Sequence, residues 1–92
     1  MKIEKPKILS ESEAGNNYDI GDYHLVFRKA GIRGGDHEHN VSETIIFLQG
    51  DVEVEASGEK KTLSSPVKIV FSPGEFHTVW FKTDTVFIER RG

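Results

Sequence analysis

The chain has no cysteine, so disulfide staples and thiolate metal sites are excluded and the redox compartment leaves no mark. No apolar run approaches the roughly 18 residues of a membrane-spanning helix. The opening Met1-Lys2-Ile3-Glu4-Lys5-Pro6 lacks the apolar centre of a secretion signal. Charge of one sign is scarce too: 12 basic against 15 acidic residues leave −3, too mild for a nucleic-acid or anionic-membrane partner. The expectation is a soluble, cytoplasmic chain with neither of those partners. Also missing is any long segment with apolar residues at i, i+3, i+4 and i+7, which argues against a sizeable helix.

What is abundant is β-branched. Eight Val, eight Ile and five Thr stand against four Leu, three Ala and one Met, a balance that favours strands. Strands are predicted over 6–9, 22–30, 43–48, 52–56, 61–64, 67–71, 77–82 and 86–89. Turns are predicted at Ala14-Gly15-Asn16-Asn17, Gln49-Gly50-Asp51, Ser57-Gly58 and Ser72-Pro73-Gly74-Glu75. Gly50-Asp51 between apolar runs reads as a hairpin turn. Ninety-two residues suit one domain, 21–92, with residues 1–20 as an N-terminal arm packing on it. Many short strands at this spacing predict an all-β sandwich, barrel or jelly roll.

The chemistry concentrates between Gly31 and Gly50, which holds two of the four histidines and a carboxylate. His37 and His39 are separated by one residue. On a strand, alternate side chains share a face and rise about 3.3 Å per residue, so the two imidazoles would stand side by side, about 6.6 Å apart at Cα. Both rings could then converge on one ion at metal–nitrogen distances of about 2.0–2.1 Å. Glu43, past the polar turn Asn40 to Ser42, could fold back on the adjacent strand and add an oxygen. Taken singly, His37-Glu38-His39 would be a charged solvated loop and Glu43 a surface carboxylate.

These residues resemble the cupin superfamily. Its first motif is Gly, five residues, His-x-His, three or four residues, Glu, six residues, Gly; Gly31, His37, His39, Glu43 and Gly50 match it throughout. Its second motif is matched in part by Pro73, Gly74 and His77. Pro73 stands one position closer to the Gly than in the family, the leading Gly is missing, and Phe81 occupies the place of an Asn. The resemblance spans Gly31 to Phe81. It implies a double-stranded β-helix, the cupin jelly roll, with one divalent transition metal held by His37, His39, Glu43 and His77, and it implies a dimer. A nitrogen and oxygen donor set without sulfur suits Fe, Mn, Ni, Zn, Co or Cu.

Strand parity sketches the lining. With Glu43 and His77 inward, Ile45, Phe47, Val79 and Phe81 also face in, and Phe71 joins them. Ile46, Leu48 and Trp80 face out, and so large an outward apolar set predicts a homodimer. The pocket reads as small, apolar and aromatic, suited to a small-molecule ligand. His24, Glu38, Arg28 and the Arg90-Arg91 end are assigned to the exterior. No acid or base beyond the ligands stands out. The functions in view are a metal-dependent dioxygenase on a small organic substrate, first, then a non-catalytic binding or sensor protein, or a metal-dependent isomerase. Fold alone does not choose among them.

Overall fold

The computed structural model describes all residues, Met1–Gly92. Ten strands and no helix make up the chain: β1 Lys7–Ser12, β2 Gly15–Asp19, β3 His24–Arg28, β4 Arg33–His37, β5 Glu43–Gln49, β6 Asp51–Ala56, β7 Glu59–Ser64, β8 Val67–Phe71, β9 His77–Phe81 and β10 Thr85–Arg91. No helix is long and apolar enough to cross a membrane. The strands form a six-stranded sheet, ordered β1-β2-β3-β10-β5-β8, and a four-stranded sheet, ordered β4-β9-β6-β7. All pairings are antiparallel. The two faces close on each other as a double-stranded β-helix, the jelly roll expected from the motifs.

Alternation accounts for the core. In β5, Glu43, Ile45 and Phe47 are buried while Thr44 and Ile46 are half-buried and Leu48 is exposed. In β6, Val52 and Val54 are buried between the half-buried Asp51 and Glu53 and the exposed Glu55. With Val26, Phe71, Val79, Phe81 and Phe87 these apolar side chains form one nine-residue core between the sheets. Phe47 packs against Phe87 with the rings tilted by 50° (centroids 5.3 Å apart), and Phe87 lies parallel to Phe81 at 5.7 Å.

Three local expectations are corrected. Gly50 does not close a hairpin. β5 and β6 lie in different sheets, so Gly50 is the corner where the chain crosses between them. Its φ is +101°, and a Cβ there would sit 2.6 Å from the Asp84 carbonyl oxygen. Glycine serves a tight corner as well as a hairpin, and the dipeptide alone does not tell them apart. The stretch 14–17 is not simply a turn: the chain reverses at Glu13-Ala14 and β2 starts at Gly15. Residues 7–19 thus form a hairpin whose second strand pairs with β3. Gly34 and Gly35, outside every strand predicted from the sequence, lie inside β4. Backbone pairing with β9 does not need side chains, which is why composition hid this strand. The β6–β7 turn is as expected, with Ser57 and Gly58 both at positive φ (51° and 75°), a pattern that suits a two-residue hairpin.

The outward apolar residues divide between two faces. Leu25, Ile88 and Ile46 are register neighbours across β3, β10 and β5, with Phe27 and Val86 beside them and Leu48 further along β5. Leu48, Phe27 and Val70 keep 41–56% of their surface exposed on this side of the six-stranded sheet. Trp80 lies on the far side, on the outer face of the other sheet, with Arg33 and Lys60 over its ring at 5.3 and 5.0 Å. It is half-buried under cations and leaves no comparable patch. We propose that two copies meet through the apolar part of the six-stranded face in a two-fold contact, with Lys68 beside Ile46 and Arg90 beside Thr44 as the charges on that face. Light scattering is expected to give a dimer for the wild type and for Trp80→Glu. Leu48→Glu combined with Ile46→Glu should shift it to monomer. A wild-type monomer at high concentration would overturn the assignment.

Candidate metal centre

Four chain segments deliver the histidines and Glu43 to one end of the sandwich. β4 ends at His37, and β9 begins at its register partner His77. His39 lies in the connection after β4, not on the strand with His37 as the alternation argument had it. Strand pairing ends at His37, after an irregularity in the register between Gly35 and His37. The extra residue there is Asp36, which takes a left-handed conformation (φ 57°). Its carboxylate accepts hydrogen bonds from the Thr78 hydroxyl and from Arg33. Those bonds hold it ionised below the usual carboxylate range, the Thr78 bond contributing most. The bulge turns the chain so that the His37 and His39 rings still face one point, their centroids 4.3 Å apart. Glu43 opens β5 and reaches in from the opposite sheet, since the strand beside β4 is β9.

One ligand atom from each of His37, His39, Glu43 and His77 can be chosen so that all lie within 4.8 Å of one another. Donors at about 2.0–2.2 Å from a shared ion stand at most about 4.4 Å apart, so a small inward adjustment seats one. The hydrogen bonding supports that fit. The Nε2 atoms of all three histidines are buried without a hydrogen-bond partner. His77 Nε2 comes to 2.9 Å from Glu43 Oε1, and His39 Nε2 to 3.6 Å from Oε2, without hydrogen-bond alignment. Buried polar atoms are rarely left in this state, and an ion is one explanation. His77 Nδ1 lies 3.0 Å from the Glu75 carbonyl oxygen. A carbonyl can only accept, so the proton sits on Nδ1 and the Nε2 lone pair faces the centre. Burial, then the neighbouring His77 and His39, pushes the His37 pKa down and favours the neutral ring that a metal needs. The residues present therefore fit one divalent transition ion.

The pocket-lining expectation needs amendment. Ile45, Phe47, Val79 and Phe81, with Phe87, line a cavity of about 200 Å³ next to His37, Glu43 and His77. Phe71 does not line it. Phe71 lies flat against the His77 ring, centroids 3.8 Å apart and planes 3° off parallel, and fixes the imidazole from behind. The far wall is polar and charged: Asn17, Arg28, Glu89 and Arg91. Arg28 is not on the exterior. It follows Val26 on the inner face of β3 and is half-buried there, which pulls its pKa below the usual guanidinium value. Arg91 is exposed, as expected of the end of the chain, but it is not free. β10 runs on to Arg91, whose register partner is Glu43, and Arg91 Nε donates to Glu43 Oε2 at 3.4 Å. Glu89 is the acid that sequence reasoning missed. Burial first, then Glu43, pushes its pKa up, so it holds a proton above the ordinary carboxylate range. Extending the inward parity of Phe87 by two and four residues would have found Glu89 and Arg91. Asn17 comes from the unforeseen strand β2 and carried no such signal. His24 and Glu38 are exposed as expected, although His24 borders a second hollow of about 430 Å³ that shares Asn17, Glu89 and Arg91 with the first.

No family model matches this chain, and no curated protein does. Solved structures do. An RmlC-like cupin from Shewanella frigidimarina superposes with a TM-score of 0.79 at 17% identity, over 92% of this chain and 81% of its own. KdgF from a Halomonas species gives 0.74 at 22% identity, over 92% and 86%. A candidate sugar phosphate isomerase from Acidithiobacillus ferrooxidans gives 0.71 at 15% identity, over 82% of this chain and 56% of that one. At these identities the likeness defines the fold: the chain has the cupin fold.

Two predictions follow from this geometry. Saturation with a metal at about a thousand times its dissociation constant should stabilise the wild type by roughly 4 kcal/mol, and His37→Ala or His77→Ala should abolish most of that gain in a thermal-melt titration. Elemental analysis well below one ion per chain after loading would overturn the ligand assignment. Gly35→Ala should weaken metal binding without removing a donor. Gly35 has φ +83°, and a Cβ would fall 2.7 Å from the His77 carbonyl oxygen, forcing β4 off β9 where the two histidines pair. Unchanged metal affinity in that variant would show that the pairing does not set the site.

Proposed function

We propose that the protein is a mononuclear metal-binding cupin that acts on a small organic ligand, and that it works by proton transfer as a metal-dependent isomerase. The carrying observation is Glu89, a cavity-lining carboxylate that makes no hydrogen bond or ion pair within the protein and shares its cavity with three of the four metal ligands. A divalent ion on His37, His39, Glu43 and His77 would supply Lewis acidity toward a carbonyl or hydroxyl oxygen. The chain's own residues do the rest. Glu89 takes the proton from a hydroxyl-bearing carbon beside a carbonyl and returns it to the former carbonyl carbon, while the hydroxyl proton passes to the former carbonyl oxygen, so the carbonyl moves by one carbon with no net oxidation or reduction. Phe47, Phe81 and Phe87 keep bulk water from one side. Arg91, bonded to Glu43, orients that carboxylate and tempers its charge. The fold likeness to a candidate sugar phosphate isomerase is in keeping with this reading.

A dioxygenase is the second reading, favoured by the aromatic wall, which would shelter dioxygen and an organic substrate together. A binding or sensor protein is the third. One experiment separates them. Zn(II)- and Fe(II)-loaded protein are offered a panel of small hydroxy and oxo compounds in deuterated water, without oxygen. Conversion, or deuterium exchange beside the carbonyl, by both metal forms is the expected result. Glu89→Gln should lower the rate by about 10²–10⁴-fold while leaving metal content intact. In a parallel arm with oxygen admitted, turnover by the Fe(II) form alone, with oxygen uptake, would replace this reading with the dioxygenase. Ligand binding without turnover in either form would favour the sensor.

A further inference from the structure

We infer that the ligand of this cavity is a small organic acid and that Arg28 receives its carboxylate. The inference deepens the reading above and rests on its placement of the ligand beside the four metal-site residues.

Arg28 is a half-buried cation on the cavity wall that makes no ion pair. Its Nη1 donates to Asn17 Oδ1 at 2.7 Å and to the Phe27 carbonyl oxygen at 2.8 Å. Nε and Nη2 donate to nothing in the protein. A guanidinium carries five donors in a planar fork that matches a carboxylate. Here one corner of the fork is fixed by β2 and β3, and the remaining donors are left over. Glu89 is near enough to influence it electrostatically but does not bond it. The other cation of the wall, Arg91, is already engaged with Glu43.

A desolvated, unpaired cation costs free energy unless an anion meets it. An apolar ligand would deepen that cost, and a neutral polyol would leave the charge uncompensated. Arg91 meets Glu43 while Arg28 has no carboxylate within ion-pair distance, and a divalent ion at the four ligands would add further positive charge to the cavity. The cavity, about 200 Å³, is below the usual range for drug-sized ligands and suits an acid of a few carbons. The apolar wall on the opposite side would take its carbon chain.

The probe is succinate, titrated calorimetrically into Zn(II)-loaded and metal-free protein, with neutral succinamide and inorganic phosphate as comparisons. Succinate should bind the wild type and lose about ten- to a hundredfold in affinity in Arg28→Gln, the scale of a charge-assisted hydrogen bond. Arg28→Lys, which keeps the charge but not the fork, should lose less. Succinamide should bind at least tenfold more weakly than succinate. Zinc affinity should be the same in wild type and Arg28→Gln. Equal succinate affinity in wild type and Arg28→Gln, or equal binding of succinamide, would overturn the inference, and phosphate binding tighter than succinate would overturn the carboxylate assignment. Failure to bind zinc would sink the metal reading alone, because the comparison of wild type with Arg28→Gln in metal-free protein still decides the role of Arg28.

Discussion

A carboxylate, Glu43, is buried between two sheets to 2% of its exposed surface, with no backbone donor to meet it. Everything around it answers that constraint. An isolated buried carboxylate would cost several kcal/mol. The groups that face it are three imidazoles and one guanidinium, drawn from β4, β9, β10 and the connection after β4. Two of those strands belong to one sheet and one to the other, so the polar cluster ties the two sheets at the end of the sandwich where the aromatic core stops. Within the protein this cluster lacks enough protons and acceptors to satisfy itself. Three ring nitrogens remain without a partner, an arrangement that a cation would complete.

The cavity beside the cluster has two unlike walls, and the asymmetry comes from which strands supply them. Ile45, Phe47, Val79 and Phe81 descend from the centre of the core. Asn17, Arg28, Glu89 and Arg91 come from β2, β3 and the last residues of β10, on the side of the six-stranded sheet away from β8. The N-terminal hairpin matters here. By adding β2 beside β3 it places Asn17 against Arg28 and extends the polar wall toward the second hollow. An apolar wall positions carbon and excludes water. A charged wall selects the ligand and handles protons. Their combination beside four candidate metal ligands suits the proposed proton transfer on an acid better than oxygen chemistry.

Legibility in the sequence followed periodicity. β5 and β6 alternate because each has one buried face; β9 is buried at Thr78 as well, yet the inward residues of all three could be named in advance from parity. β2 and β4 escaped. Gly15-Asn16-Asn17 and Gly34-Gly35 have turn composition, yet both are held as strands by the neighbours they pair with, β3 and β9. Pairing depends on backbone groups and on what lies alongside, and local composition records neither. The corner at Gly50 and the bulge at Asp36 were hidden for the same reason.

The sequence by itself determined the donor set. The spacing of Gly31, His37, His39, Glu43 and Gly50, with His77 downstream, marks three imidazoles and one carboxylate as a group, because histidine is rare and that register is demanding. It also determined the all-β class, through β-branched content and the lack of any helical period. Only the tertiary structure decided the rest: that Glu43 crosses from the opposite sheet, that Arg28 turns inward while the exposed Arg91 reaches back to Glu43, and that Glu89 stands in the cavity with no partner. Whether a charged side chain near a strand end faces solvent or a site depends on which sheet closes over it. That closure is made by residues thirty to sixty positions away, so no local pattern contains it.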